Sequence, residues 1–302
     1  MRREALSLLD VWGEGFRVAR TFRRSAGCGP PASEGFKHFS LEREAPPDDL
    51  AAFVEGFWSV RWDLDAGASF EQEILPYPCV NLSTAAGGFE VHGPGTKRFA
   101  ALLTGCGYVC GTKFTPSGFF AFAHAPMQHL VDKVISVEAV TGQSLRVRRD
   151  ADAAAVRVEV QTFLRSFAPV RTADMALADR LVRLAQEDRS IARAEDLARA
   201  AAASVRSLHR LFERHVGVGP KWVVRRSRVQ EAAERMARGE KIDLAAMAQE
   251  LGYHDQAHLT HDFRAQVGFT PAAYARRCAA AQRRRNVLEH ADVTAPARAN
   301  RT

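Results

Sequence analysis

The 302-residue sequence has no run of about 18 uncharged apolar residues, the length needed to cross a bilayer core, which excludes a membrane-spanning helix. Cysteine is scarce. Its five residues, Cys28, Cys79, Cys106, Cys110 and Cys278, are odd in number and scattered, which does not read as a disulfide framework. The basic start Met1-Arg2-Arg3 precedes an apolar stretch of only Ala5 to Leu9 before Asp10. That is too short for a secretory core, and no small-residue cleavage site follows, so the expected location is the cytoplasm. A phosphate-cradling Gly loop ending in Lys-Ser/Thr and a nucleophile elbow are also missing. No catalytic residue, metal or cofactor is therefore expected, and the chain reads as a binding protein rather than an enzyme.

What is present is ordinary for a globular protein, with 46% apolar and 25% charged residues, and the length suits about two domains. The net charge of +7 is unevenly placed. From Ser190 to Thr302 there are 20 Lys/Arg against 12 Asp/Glu, or +8; from Met1 to Arg189 there are 22 against 23, or −1. A basic segment beside a near-neutral one suggests a polyanion-binding module joined to a domain with another task. Solvated Arg-rich helix faces would give the same count.

The pattern divides the chain into five parts. Residues 1–45 carry Gly-Cys-Gly-Pro-Pro (27–31) and, at their end, Ala-Pro-Pro-Asp (45–48), and are expected to be poorly ordered. Residues 46–145 are β-rich, with short runs such as Phe57-Trp58-Ser59-Val60-Arg61-Trp62 and Val80-Asn81-Leu82 between Gly/Pro turns, as in a barrel or sandwich. Helices are expected over Met127–Val134 and Asp152–Phe167. A third, Met175–Glu187, has Asp174 as its N-cap and belongs to a helical connector, 146–189. Residues 190–278 form an all-α basic module, and 279–302 a disordered tail. The fold class is thus α+β.

Two segments of the basic module repeat. Ser204 to Phe212, followed by Val216-Gly217-Val218-Gly219-Pro220, resembles Asp255 to Phe263, followed by Val267-Gly268-Phe269-Thr270-Pro271. At an offset of 51, Leu208/Leu259, Phe212/Phe263, Val216/Val267, Gly217/Gly268 and Pro220/Pro271 match. Residues at i, i+4 and i+8 make one apolar helix face, Gly suits a position needing positive φ, and Pro ends the helix. A shorter helix precedes each, Asp196–Ala202 and Leu244–Leu251. The tight turn between them is marked by Gly252 in the second copy and by Ala201 in the first. The second turn is one residue longer, since Ala198 pairs with Ala248. This is the helix-turn-helix arrangement. Lys221–Arg238 reads as a spacer helix with Trp222, Val229, Ala232, Ala233 and Met236 as its apolar stripe and Arg225, Arg226 and Arg228 beside it. The outward residues of the second helices can reach bases or phosphates: Arg206, Ser207, His209 and Arg210 in one, Gln256, Ala257, His258, Thr260 and His261 in the other.

Residues 191–277 resemble the DNA-binding domain of AraC/XylS-type transcription regulators. The resemblance rests on Asp196-Leu197-Ala198, Ser204-x-x-x-Leu208-x-Arg210-x-Phe212, Gly217-x-Gly219-Pro220, Ala248-x-x-Leu251-Gly252-Tyr253, Gln256-x-His258-Leu259-x-x-x-Phe263 and Gly268-Phe269-Thr270-Pro271-x-x-Tyr274. It implies two recognition helices in successive major grooves of double-stranded promoter DNA, with RNA polymerase as a further partner and regulation, such as activation, as the outcome. Ala257, where the family usually has a small polar residue, and the outward His209 and His261 depart from the pattern and bear on base preference. The segments 57–64, 75–82 and 111–119 resemble an uncharacterised β-rich domain that precedes this module in bacterial regulators. In the wider family such domains sense an effector or mediate homodimerisation.

An effector pocket, where one exists, is sought among Trp58, Trp62, Tyr77, Phe114 and Phe119; the alternative is that these aromatics are core. Cys106 and Cys110 are either two buried thiols or a redox pair. His254, His258 and His261 have helical spacing but lack a His-Glu-x-x-His pattern for zinc. His124, His129 and Asp132 make one further weak cluster. Two other functions compete with the regulator: a small-molecule or redox sensor whose basic part binds nucleic acid nonspecifically, and a DNA-modifying enzyme.

Overall fold

The computed structural model describes residues 39–74, 77–85, 88–148, 151–239 and 243–280. The N-terminal half is an antiparallel six-stranded sheet in the order β1(Phe39–Glu44), β2(Val54–Asp63), β7(Cys106–Phe114), β4(Asn81–Ala85), β5(Gly88–His92), β8(Val134–Ser136). A two-stranded ribbon, β3(Ser69–Ile74) with β6(Phe99–Thr104), continues the β2–β7 pair, since Asp63 faces Cys106 and Ser69 faces Thr104. Strand β1 lies within 1–45, the segment expected to be poorly ordered; its full register with β2, Phe39 against Trp62 to Glu44 against Phe57, orders it. Residues 1–38 lie outside the described residues.

Helix α2(Ala153–Ser166), capped by Asp152, lays Val156, Val160, Phe163 and Leu164 into the same core as Phe57, Phe89 and Phe114. The helix expected over Met127–Val134 does not form. A 3-10 turn, Met127–Leu130, stops at Asp132, whose φ is +56°, and Val134–Ser136 pairs with β5 instead. β-Branched Val134 and Ile135 are better suited to that edge than to a helix. A short α1(Val137–Thr141) follows.

Helix α3(Ala173–Glu187) is capped by Thr172, whose side chain accepts from Met175 N; Asp174 sits in the first turn and is not the cap. α3 serves two cores. Met175 belongs to the β-domain core, while Ala178, Leu181, Val182 and Ala185 belong to that of the first helical unit. Its buried Asp179 accepts from Ser117 N (2.7 Å), Thr115 Oγ1 (3.0 Å) and Arg171 Nη2 (2.9 Å), fastening α3 to the sheet.

The remaining elements are α4(Ala194–Ala200), α5(Val205–His215), α6(Pro220–Ala237), α7(Leu244–Glu250) and α8(Gln256–Val267), and residues 271–280 are also helical. Ala279 and Ala280 thus continue a helix where a disordered tail was expected; 281–302 lie outside the described residues.

Candidate nucleic-acid interface

The two helical hairpins are copies in backbone detail. After α4, Ala203 N donates to Ala198 O (3.0 Å) across Ala202, whose φ is +49°. After α7, Tyr253 N donates to Ala248 O (2.8 Å) across Gly252, at φ +73°. The counterpart of Gly252 is therefore Ala202, and not Ala201 as the spacing suggested. Ser204 Oγ then caps α5 by accepting from Ser207 N (3.1 Å), and Asp255 Oδ1 caps α8 by accepting from His258 N (2.7 Å). The offset grows from 50 to 51 between these points, so the extra residue of the second turn is His254. Leu208, Phe212 and Val216, like Leu259, Phe263 and Val267, are at most 1% exposed. Gly217 and Gly268 hold φ of +92° and +84°, the left-handed positions expected of them.

Helix α6 joins the copies. Val223 and Val224 lie in the first core; Val229, Ala232, Ala233, Met236 and Ala237 lie in the second. The arginines beside this stripe are committed internally. Arg228, 5% exposed, donates through Nη1 to Leu251 O (2.7 Å) and through Nη2 to the carbonyls of Ile191 and Arg189, so one guanidinium grips both units. Arg225 binds the fully buried Asp262 of α8 with two bonds, Nε to Oδ2 being 2.8 Å. Arg226 is buried; its Nη1 donates to Gln230 Oε1 (2.8 Å), and burial lowers its pKa to about 10. These three cations counted towards the basic excess, yet they hold the scaffold together.

Arg206, Ser207 and Arg210 are exposed on α5, and His209 is half-buried beside Gly219. Gln256, Ala257, His258 and His261 are exposed on α8, and Thr260 is half-buried. His258 stacks edge-on against Tyr253 (5.1 Å between centroids) and approaches Asp262 at 3.9 Å. His209, His254 and His258 line one cleft of about 640 Å3 between the units.

The five aromatics proposed for an effector pocket are not brought together. Phe114 and Phe119 are core, edge to face at 4.9 Å. Trp58 and Trp62 lie across β7 over Gly111 and Gly107, where a Cβ would come within 2.2 Å and 2.0 Å of the rings. Those tryptophans cover strand glycines. Tyr77 alone lines a large cleft, about 720 Å3, between the β-domain, α3 and α6. Its hydroxyl accepts from Gln186 Nε2 (2.9 Å), and its ring carries Lys113 Nζ at 3.9 Å and Arg226 at 5.9 Å. Lys113 Nζ in turn donates to Glu55 Oε1 (2.9 Å). Nothing in residue spacing pointed to Lys113 or Glu55; a buried lysine is visible only in three dimensions.

Cys106 and Cys110 are four residues apart on β7, about 13 Å at 3.3 Å per strand residue, too far for a disulfide. Cys106 is exposed, and buried Cys110 shares a hydrogen bond with Tyr108 Oη (2.6 Å). His124 Nε2 meets Thr141 O (3.0 Å) while Asp132 Oδ1 accepts from Thr96 N (2.6 Å), so these two members of the other cluster have separate partners. Among the described residues no helix is long and apolar enough to cross a membrane.

Residues 197–277 match the family model of a helix-turn-helix domain, and residues 42–136 that of a domain of unknown function (DUF6597). The C-terminal part is an AraC-type helix-turn-helix domain, the DNA-binding module of transcription regulators. No curated protein matches the chain in sequence. Among solved structures the chain is similar to the C-terminal domain of AraT, a response regulator from Geobacillus stearothermophilus, with 22% identity over 33% of this chain and 84% of that one, at a TM-score of 0.31. It is similar also to ToxT from Vibrio cholerae, with 10% identity over 80% of this chain and 98% of that one, at a TM-score of 0.36.

Proposed function

We propose that this chain is a sequence-specific transcription regulator that lays α5 and α8 into successive major grooves on one side of a promoter. The observation that carries the reading is the Arg228 clamp between two equivalent hairpins. It holds the reading helices at a set separation, and two helices can enter adjacent grooves only if they lie about 34 Å apart. Arg206 and Arg210 would take guanine or phosphate, Gln256 adenine, and Ser207 and Thr260 either base or backbone. Ala257 is small enough to let the helix approach a thymine methyl.

Residues 190–278 would then be the DNA-binding domain, 146–189 the connector and 46–145 the domain that receives a signal or pairs two copies. The cleft lined by Tyr77, Gln186 and Gln230 is the best seat for a small-molecule effector, because its walls come from both parts. RNA polymerase would be the downstream partner. The reading is that of a DNA-binding switch, with no catalytic step assigned.

The test is a mobility-shift titration of the full chain on duplexes selected from a random library, with competitor DNA present. Arg210→Ala should weaken specific binding by about 1–3 kcal/mol without lowering the melting temperature. Binding that shows salt dependence but no sequence preference would refute the regulator and favour a sensor with a nonspecific anchor.

A further inference from the structure

We infer that the cleft between the two hairpins is a seat for the DNA phosphodiester backbone whose cations are histidines, so that DNA binding takes up protons. The inference rests on the DNA-binding reading above and adds to it a ligand group and a form of regulation. Three of the ten histidines, His209 from α5, His254 from the α7–α8 turn and His258 from α8, converge on this one cleft. When two helices lie in successive major grooves, the backbone that separates the grooves must pass over the surface between them.

That surface has fewer fixed cations than its sequence suggests. Arg225 is held by Asp262, and Arg228 by the carbonyls of Leu251, Ile191 and Arg189. Lys221 of α6 and Arg193, at the start of α4, complete the basic lining. The acidic groups facing the histidines are Glu195, Asp255 and Asp262. Asp255 Oδ2 lies 3.1 Å from His254 Nδ1, and Asp262 Oδ2 lies 3.9 Å from His258 Nε2. Asp255 hydrogen-bonds and so orients the His254 ring, while Asp262, already bound through both oxygens by Arg225, lies near His258 without a hydrogen bond to it. The Tyr253 ring braces His258 from the side. Imidazole is the side chain that can gain a proton within the physiological range, and a polyanion laid against three of them favours the charged form. The complex therefore binds more protons than the free protein, and affinity rises as pH falls.

The experiment is fluorescence anisotropy with the full chain and one selected duplex at pH 6, 7 and 8, at constant ionic strength. Circular dichroism at each pH verifies that the chain stays folded. The expected result is a Kd about tenfold lower at pH 6 than at pH 8. The salt dependence should be steeper at pH 6, by about 0.9 in log K per log salt for each imidazole that gains a phosphate contact. The triple variant His209→Gln, His254→Gln, His258→Gln should lose the pH slope, whatever its affinity at pH 8. His92→Gln, in the β-domain, should keep it. Sequence-specific binding with no pH dependence, or a triple variant that retains the slope, overturns this inference and leaves the regulator standing. Failure to bind any selected duplex at any pH overturns both.

Discussion

Leu208, Phe212 and Val216 of the first hairpin and Leu259, Phe263 and Val267 of the second fill equivalent positions with equal burial, yet the surfaces turned outward differ in charge. α5 presents Arg206 and Arg210; the corresponding stretch of α8 presents Gln256, His258, Thr260 and His261. The neighbours differ too. The first hairpin packs against α3, which also enters the β-domain core, and the second against Tyr274 and Cys278 of the helical stretch 271–280. A duplicated scaffold has thus been given two environments. One copy shares α3 with the β-domain core and turns two arginines outward; the other packs on the helical stretch 271–280 and turns outward uncharged polar groups and two histidines. Inside a repeat, equivalence of core positions says nothing about equivalence of task.

The comparison can be broken most forcefully at the cores. Phe212→Ala and Phe263→Ala should each cost about 3–5 kcal/mol in urea unfolding, because both rings are fully buried. A loss below 1 kcal/mol in either copy would end the claim that the two are equivalent. Next comes the clamp. Arg228→Met removes the donor from the carbonyls of Leu251 and Ile191 and should cost about 1–3 kcal/mol. It should also let the protein tolerate duplexes whose half-sites are moved by one base pair, which a competition assay would reveal.

The turns sharpen the comparison by sign. Ala202 is an L-residue in a left-handed conformation, so Ala202→Gly should stabilise the chain by about 1 kcal/mol, whereas Gly252→Ala should destabilise it by a similar amount. Melting temperatures moving in the same direction for both variants would contradict the assignment of Ala202 as the counterpart of Gly252.

The smallest effect concerns the coupling of the first hairpin to the sheet. His215, at the end of α5, is buried against Phe120, with ring centroids 4.3 Å apart. Burial pushes its pKa below the ordinary histidine value, opposed by Asp174 and Asp179 and aided by Arg214. The unfolded chain therefore takes this proton more readily than the folded one. The stability contributed by the neutral ring is whole above about pH 6.5 and declines as pH falls below it. Between pH 7 and pH 5 the melting temperature should drop less in His215→Phe than in the wild type; equal drops would show that His215 does not report on this contact.

The hairpins were legible in the sequence because every signal that makes them is local: apolar residues at helical spacing, a capping Ser204 or Asp255, a glycine where φ turns positive. The turn of the first copy was misplaced by one residue because alanine carries no mark of the left-handed conformation that Ala202 adopts. The helix expected over Met127–Val134 failed for a related reason. An amphipathic pattern does not reveal that β5 offers an open edge to Val134–Ser136. The aromatic pocket was not legible, since Trp58 and Trp62 are placed by cross-strand Gly111 and Gly107, about 50 residues away.

By itself the sequence determined the duplicated hairpin framework, its apolar faces and its outward polar residues, because helix periodicity and capping are settled within a few residues. Only the tertiary structure decided that Arg226 and Arg228 turn inward while Arg225 pairs with the buried Asp262, that α3 belongs to two cores, and that three histidines share a cleft. Those outcomes depend on which carbonyl or carboxylate another segment brings within hydrogen-bond reach, and one-dimensional spacing carries no record of such meetings.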